Sequence, residues 1–405
     1  MSIQGSSGPT ASRLRALGTR ALSALRRPIG RFGPLVLTLV LGGIIGALIS
    51  LPIQDWWNHT KADPFVAVIL SNDDPNFTIP MELKQGIQQA MNSRPSIETP
   101  NQQSVGIQFV QTALTPDDTA DAVRKKCLQI PACIAIVGAS DSTTTTAALK
   151  EILKFQGQKP ALIMPIATAT SLTDVAAIGH FSQILRLVPN NNEQAQEIKS
   201  FIASRARTQK VTVIIDPNNP DYSTNLARLI VQMISDNGGD ANTLDYRDSS
   251  TLADANLHLA SQDFLVFVGT SSNGLEIIKD MKRLNIRVPT IFTDGNTVKE
   301  VIDSSIGMPG PAYFLTPVRE LNNFKEPGYT AIGRDTYAIL SSIFSQSPGL
   351  SRSAVADFIS NRKYDIVLTS GAAGSYKFGQ DGENSAMRFS IFSIQKSKVV
   401  IQKNF

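Results

Sequence analysis

Residues 210–239 read KVTVIIDPNNPDYSTNLARLIVQMISDNGG, and this stretch decides the fold class. Val211 to Ile215 is a short β-branched apolar run, the pattern of a strand buried on both faces. Beyond it Leu226, Leu229, Ile230, Met233 and Ile234 are spaced by 3, 1, 3 and 1, which places them on one face of a helix. Gly238-Gly239 ends that helix, because glycine readily takes the left-handed conformation of a helix stop. One strand followed by one amphipathic helix is the unit of a parallel α/β sheet.

The same unit recurs on both sides. Further strands are predicted at Phe65 to Leu70, Val105 to Val110, Cys133 to Val137, Ala161 to Pro165, Phe264 to Val268 and Val288 to Phe292. Ile79, Leu83, Ile87, Ala90 and Met91 form one helical face, and Thr115-Pro116-Asp117-Asp118 is a helix start with a capping hydroxyl, a proline in the first turn and two carboxylates on the positive end of the dipole. The alternation breaks near Val188-Pro189-Asn190-Asn191-Asn192 and then restarts, so two α/β lobes are expected rather than one large sheet.

Charge is unevenly placed. The 405 residues carry 38 basic and 34 acidic side chains, a formal +4. Six arginines (Arg13, Arg15, Arg20, Arg26, Arg27 and Arg31) lie before the first acid, Asp55; the rest holds 32 basic against 34 acidic residues, a net of −2. A nucleic-acid reader needs a cationic excess on its folded part, so nucleic acid is excluded as a partner. Residues 34–53, PLVLTLVLGGIIGALISLPI, are twenty residues without a charge, long enough to span a bilayer as a helix. With Trp56 and Trp57 at one end and the arginines at the other, residues 1–33 are expected as a cytoplasmic arm and everything after the span as extracytoplasmic. A cleaved signal peptide and an organellar transit peptide are the alternatives for this segment.

Ligands of open parallel sheets sit beyond the carboxyl ends of the strands. Two such loops are small and hydroxylated: Gly138-Ala139-Ser140-Asp141-Ser142-Thr143 and Ile166-Ala167-Thr168-Ala169-Thr170-Ser171. Hydroxyls and free N–H groups at a helix start suit a carboxylate, although Ser140 or Ser142 could equally be a plain helix cap. At this point the order of motifs resembles the type I periplasmic binding fold, and within it the substrate-binding proteins of branched-chain amino acid ABC transporters. The resemblance is carried by MELKQGIQQAMN (81–92), CIAIVGASDS (133–142), MPIATATSLT (164–173), ILRLVPNNNEQAQEI (184–198), KVTVIIDPNNPDYSTNLA (210–227), RVPTIFTDG (287–295) and YDIVLTSGAAGSYKFGQDGEN (364–384).

That resemblance implies two doubly wound parallel-sheet lobes joined by a hinge. Lobe I would comprise 64–187 plus about 318–368, and lobe II 188–317 plus about 369–405. It also implies a ligand whose carboxylate meets lobe I and whose ammonium meets lobe II, which carries over onto Ser140 and Ser142, Ala167 and Thr168 on one side and Tyr222 and Asp294 on the other. Charge-assisted hydrogen bonds at both ends would hold such a zwitterion. Tyr222 could instead be a surface ring beside a capped helix, and Asp294, in Thr293-Asp294-Gly295, is a natural turn residue. The sequence also departs from the resemblance: Asp294 is shorter than the expected glutamate, Ser71 to Phe77 replaces a glycine-rich loop, and Gly269-Thr270-Ser271-Ser272-Asn273 lacks an aromatic.

Cys127 and Cys133 are the only cysteines; an extracytoplasmic location favours a disulfide, buried thiols being the alternative. Two cysteines and three scattered histidines (His59, His180 and His258) make a metal site unexpected, and no cofactor motif is present. Ser140 lacks the closing glycine of a nucleophile elbow, so a serine hydrolase or amidase is the weakest reading and no enzyme is expected. The leading expectation is a membrane-tethered solute-binding protein that closes on a small polar ligand such as an amino acid and is read by a membrane permease or sensor subunit. The competing one is a ligand-independent envelope scaffold on the same fold, docking a protein partner.

Overall fold

The computed structural model describes residues 63–71, 77–94, 96–99, 103–318, 328–395 and 398–403. The arm at 1–33 and the apolar run at 34–53 lie outside the described residues, among which no helix is long and apolar enough to cross a membrane. From Ala62 onward the chain forms one compact unit.

The first sheet contains β1 (Phe65–Ser71), β2 (Ile97–Glu98), β3 (Ser104–Thr112), β4 (Cys133–Gly138), β5 (Ala161–Met164) and β6 (Ile184–Arg186), in the order β2-β3-β1-β4-β5-β6. Every pair is parallel except β2 with β3. All seven residues of β1 are buried, as a central strand covered on both faces requires. The second sheet is formed by β7 (Lys210–Ile215), β8 (Asp240–Asp245), β9 (Phe264–Val268), β10 (Thr290–Phe292), β11 (Ala312–Thr316), β14 (Ser390–Gln395) and β15 (Lys398–Lys403), in the order β15-β14-β11-β10-β9-β7-β8. Its core is parallel, but β14 and β15 are added antiparallel at one edge, so the second lobe is a mixed sheet rather than the wholly parallel one the sequence suggests.

Helices α1 (Ile79–Ser93), α2 (Pro116–Val123), α3 (Ser142–Lys154) and α4 (Ser171–Ile178) serve the first sheet. The second has α5 (Asn191–Ala203), α6 (Pro220–Ser235), α7 (Ser249–Leu259), α8 (Ser271–Arg283) and α9 (Lys299–Ser305). Thr115 caps α2 as its sequence predicts, its hydroxyl accepting from the Asp118 N–H at 3.2 Å. Gly238, with φ of 80°, ends α6.

The chain then returns to the first lobe. Helix α10 (Gly328–Gln346) lies directly on α1, and the contact is backbone to backbone: a Cβ on Gly86 would stand 2.0 Å from the Thr330 carbonyl, and one on Gly333 would stand 2.2 Å from that of Leu83. Helix α11 (Arg352–Arg362) follows. Its buried Arg352 donates to the carbonyls of Cys127, Leu128, Ile130, Cys133 and Gln158 at 2.5–3.2 Å. The guanidinium thereby organises the tight loop whose ends, Cys127 and Cys133, are joined by a disulfide.

Asp335 on α10 accepts from the N–H groups of Ala372 and Ala373 at 2.6 and 2.7 Å and from the Tyr376 hydroxyl at 3.0 Å, which ties the hairpin β12 (Val367–Leu368) and β13 (Tyr376–Lys377) to α10. Arg186 ends β6. This wholly buried side chain pairs with Glu383 at 3.0 Å and donates to the carbonyls of Ala167 and Ala169. Glu383 also accepts from Thr173 and Asn190. A buried cation needs such complete pairing to offset its lost hydration.

Candidate functional site: the cleft between the sheets

In the first sheet β1 lies between β3 and β4, and in the second β7 lies between β8 and β9. The chain winds away from each of these strands in opposite directions, so the loops at their carboxyl ends part and leave a crevice. The two crevices meet in a cavity of about 30 Å³. Phe77, Ser140, Asp141, Ser142 and Thr168 line it from the first lobe; Asn219, Tyr222, Thr270 and Asp294 line it from the second. Tyr329, in the first turn of α10, completes the wall.

The predicted capping role goes to a different residue. Asp141, rather than Ser140 or Ser142, caps α3: its carboxylate accepts from the Thr144 N–H at 2.7 Å while the Thr144 hydroxyl accepts from the Asp141 N–H at 3.2 Å. Burial pushes the Asp141 carboxyl up, against the hydrogen bonds from Thr144. Ser140 instead ties two strand ends together, its Oγ accepting from the Ser71 N–H at 2.5 Å. Ser142 joins the two predicted loops, its Oγ accepting from the N–H groups of Thr168 and Ala169 at 3.2 and 3.1 Å. Ala167 is buried but does not line the cavity; its carbonyl accepts from Arg186.

Across the cleft, Tyr222 is 4 % exposed, so it is no surface ring. Its hydroxyl donates to Asp294 Oδ1 at 2.6 Å, and the Tyr329 hydroxyl donates to the Asp294 carbonyl at 2.9 Å, carrying first-lobe structure onto the second. Burial pushes the Asp294 carboxyl up to about 6, against the opposing hydrogen bonds from Tyr222 and Gln194. Burial and the Asp294 charge push the Tyr222 phenol well up, so it remains a donor. Asp294 also starts a short 3-10 turn, Asp294–Asn296, so the turn reading and the cleft position hold together.

Sequence reasoning misses Phe77, Asp141, Asn219, Thr270 and Tyr329. Asn219 was legible as the residue before Pro220 at a helix start; Tyr329 carries no local signal. The lobes also bond directly. The Thr143 hydroxyl donates to Asn219 Oδ1 at 2.9 Å, and the Thr170 hydroxyl donates to Asn225 Oδ1 at 3.1 Å. His258 lies away from Ser140, its Nε2 3.4 Å from Thr212 Oγ1 and from Asn242 Nδ2. Among the described residues no cluster of His, Cys, Asp or Glu is arranged to hold a metal ion.

No family profile matches the sequence, and no curated protein matches it in sequence. Solved structures do match in fold. A leucine-binding protein from Thermotoga maritima superposes with a TM-score of 0.72 at 18% identity, covering 84% of this chain and 98% of its own. A branched-chain amino acid transporter substrate-binding protein from Streptococcus pneumoniae, in complex with isoleucine, gives 0.70 at 15% identity, covering 85% and 100%. A solute-binding protein of an ABC transporter from R. palustris, in complex with benzoate, gives 0.68 at 14% identity, covering 84% and 96%. The two-lobed body therefore has the type I periplasmic binding fold.

Proposed function

We propose that this chain is a membrane-tethered, extracytoplasmic solute-binding protein whose lobes close on a small polar ligand bearing an amino group. The observation that carries the reading is the cleft itself, where Asp294, held by Tyr222 and reached by Tyr329, faces a wall of hydroxyl-bearing loops at two topological switch points. Residues 1–33 would be the cytoplasmic arm and 34–53 the span. Lobe I would run over 64–187 and return with about 318–377, and lobe II would hold 188–317 and the remainder. The disulfide at Cys127 and Cys133 supports an oxidising compartment. Closure would be driven by the ligand's preference for the closed form, and a permease or sensor subunit in the same membrane would read it. Full-length protein in mild detergent should yield a bound metabolite by native mass spectrometry and gain thermal stability when that metabolite is added back. A preparation with no bound small molecule and no response to a broad metabolite panel refutes the reading.

One observation favours a second reading. A cavity of about 30 Å³ holds one or two waters, far less than the roughly 150 Å³ that admits a benzene-sized molecule. The direct Thr143–Asn219 and Thr170–Asn225 bonds need no ligand to bridge the lobes. A scaffold that closes unaided and docks a protein partner would keep its biological function when Thr168 and Asp294 are substituted; a solute-binding protein would lose it.

A further inference from the structure

The cleft departs from a zwitterion seat in one respect. Most of an anion's usual anchors there, the N–H groups of the helix-start loops, already have acceptors inside the protein. The Thr168 and Ala169 N–H groups donate to Ser142 Oγ. In the other loop the Ala139 N–H donates to Thr145 Oγ1, that of Asp141 to Thr144 Oγ1, that of Thr143 to Asn219 Oδ1, and that of Thr144 to Asp141 Oδ1. On the second lobe the Thr270 N–H and hydroxyl both donate to Asp216. Beside the hydroxyl-bearing residues, the lining includes one acidic residue from each lobe, Asp141 and Asp294, and the aromatic residues Phe77, Tyr222 and Tyr329. Among the described residues no lysine, arginine or histidine lines it, and Arg186 lies behind the loop, paired with Glu383.

We propose that the ligand is a small organic cation without a carboxylate, an amine or quaternary ammonium compound whose charge rests between Asp294 and the surrounding rings. This rests on the solute-binding reading and narrows it. A carboxylate on the ligand would meet Asp141 with no compensating cation and with those N–H donors already engaged, which disfavours amino acids and aromatic acids. A cation gains a charge-assisted hydrogen bond or a close Coulombic contact, and π faces add to it. The small closed cavity means that the ligand enters the open form and that the lobes close less far over it.

The test uses full-length protein in mild detergent, with putrescine and choline as cationic probes and leucine and benzoate as the carboxylate-bearing controls. Putrescine or choline should raise the melting temperature while leucine and benzoate leave it unchanged. Asp294→Asn should weaken the cation's binding at least about tenfold, the loss expected for one charge-assisted contact. An independent readout does not depend on that variant folding. Titration calorimetry near pH 6 in two buffers of different ionisation enthalpy should show proton release on cation binding, since Asp294 is partly protonated there. Stabilisation by leucine or benzoate overturns the ligand class while leaving the solute-binding reading intact. A co-purified metabolite that carries a carboxylate does the same. Absence of a shift with all four probes, together with no co-purified small molecule, overturns both.

Discussion

Replacing Glu82 with glutamine isolates one buried acid whose cost can be worked from its surroundings. Glu82 sits on α1 at 7 % exposure; Thr78 donates to Oε1 at 3.4 Å, and Oε2 has no hydrogen-bond partner among the described residues. Burial, reinforced by Glu300, pushes its carboxyl from 4.5 up to about 8, against weaker opposition from the Tyr329 N–H and the Thr78 hydroxyl. The sign follows from which state holds the proton. Between pH 4.5 and about 8 the unfolded chain ionises Glu82 while the folded chain keeps it neutral, so stability falls as pH rises through that window and levels off above it. At about 1.4 kcal/mol per unit, the full loss has an upper bound of about 5 kcal/mol. Urea denaturation followed by circular dichroism from pH 4.5 to 8.5 measures it. Glu82→Gln should match the parent at the acid end and exceed it increasingly toward pH 8; the residual slope of the variant belongs to Asp294, Asp141 and Asp335, which shift in the same direction. If parent and variant stay parallel across the window, Glu82 is ionised in the folded protein and the reasoning fails.

Glu383→Ala should lower stability by about 3–5 kcal/mol, because it leaves the wholly buried Arg186 without its counter-charge; a midpoint unchanged in chemical denaturation would mean that the guanidinium finds water. Gly333→Ala forces a methyl to 2.2 Å from the Leu83 carbonyl and should cost about 1–3 kcal/mol, visible as a lower melting temperature, unless α10 slides on α1 without penalty. Replacing Cys127 and Cys133 together with serine should cost about 2 kcal/mol for so short a loop, checked by denaturation under non-reducing conditions. Stability equal to the parent would show that Arg352 alone holds the loop closed.

The body's architecture was legible where burial leaves a compositional trace. Strand β9 coincides with its predicted range, Phe264 to Val268, because all five residues are buried and apolar. Strand β8 is DANTLD, a largely polar edge strand with no apolar run to find, and β14 and β15 pair antiparallel at the far edge through contacts that the local pattern does not encode. Of the cleft, Ser140, Ser142, Thr168, Tyr222 and Asp294 could be located because they follow strands or start helices. Asp141 was obscured by its two serine neighbours, which compete for the same cap. Tyr329 could not be located at all, since its place depends on α10 docking against α1 more than two hundred residues earlier. Arg186 stands as a lone charge in the apolar run Ile184 to Val188, and such a charge has to find a buried partner; only the fold identifies it as Glu383.

The position of Tyr329 also determines how motion could be watched. Because the glycine contact fixes α10 to α1, its phenol belongs to one lobe while its hydrogen bond reaches the main chain of the other, at the Asp294 carbonyl. The only tryptophans of the chain are Trp56 and Trp57, both ahead of the two-lobed body. With those two changed to phenylalanine, Tyr329→Trp would leave a single indole at the lobe boundary. Its emission would shift to the red each time water enters the cleft, turning lobe opening into an optical signal that requires no attached dye.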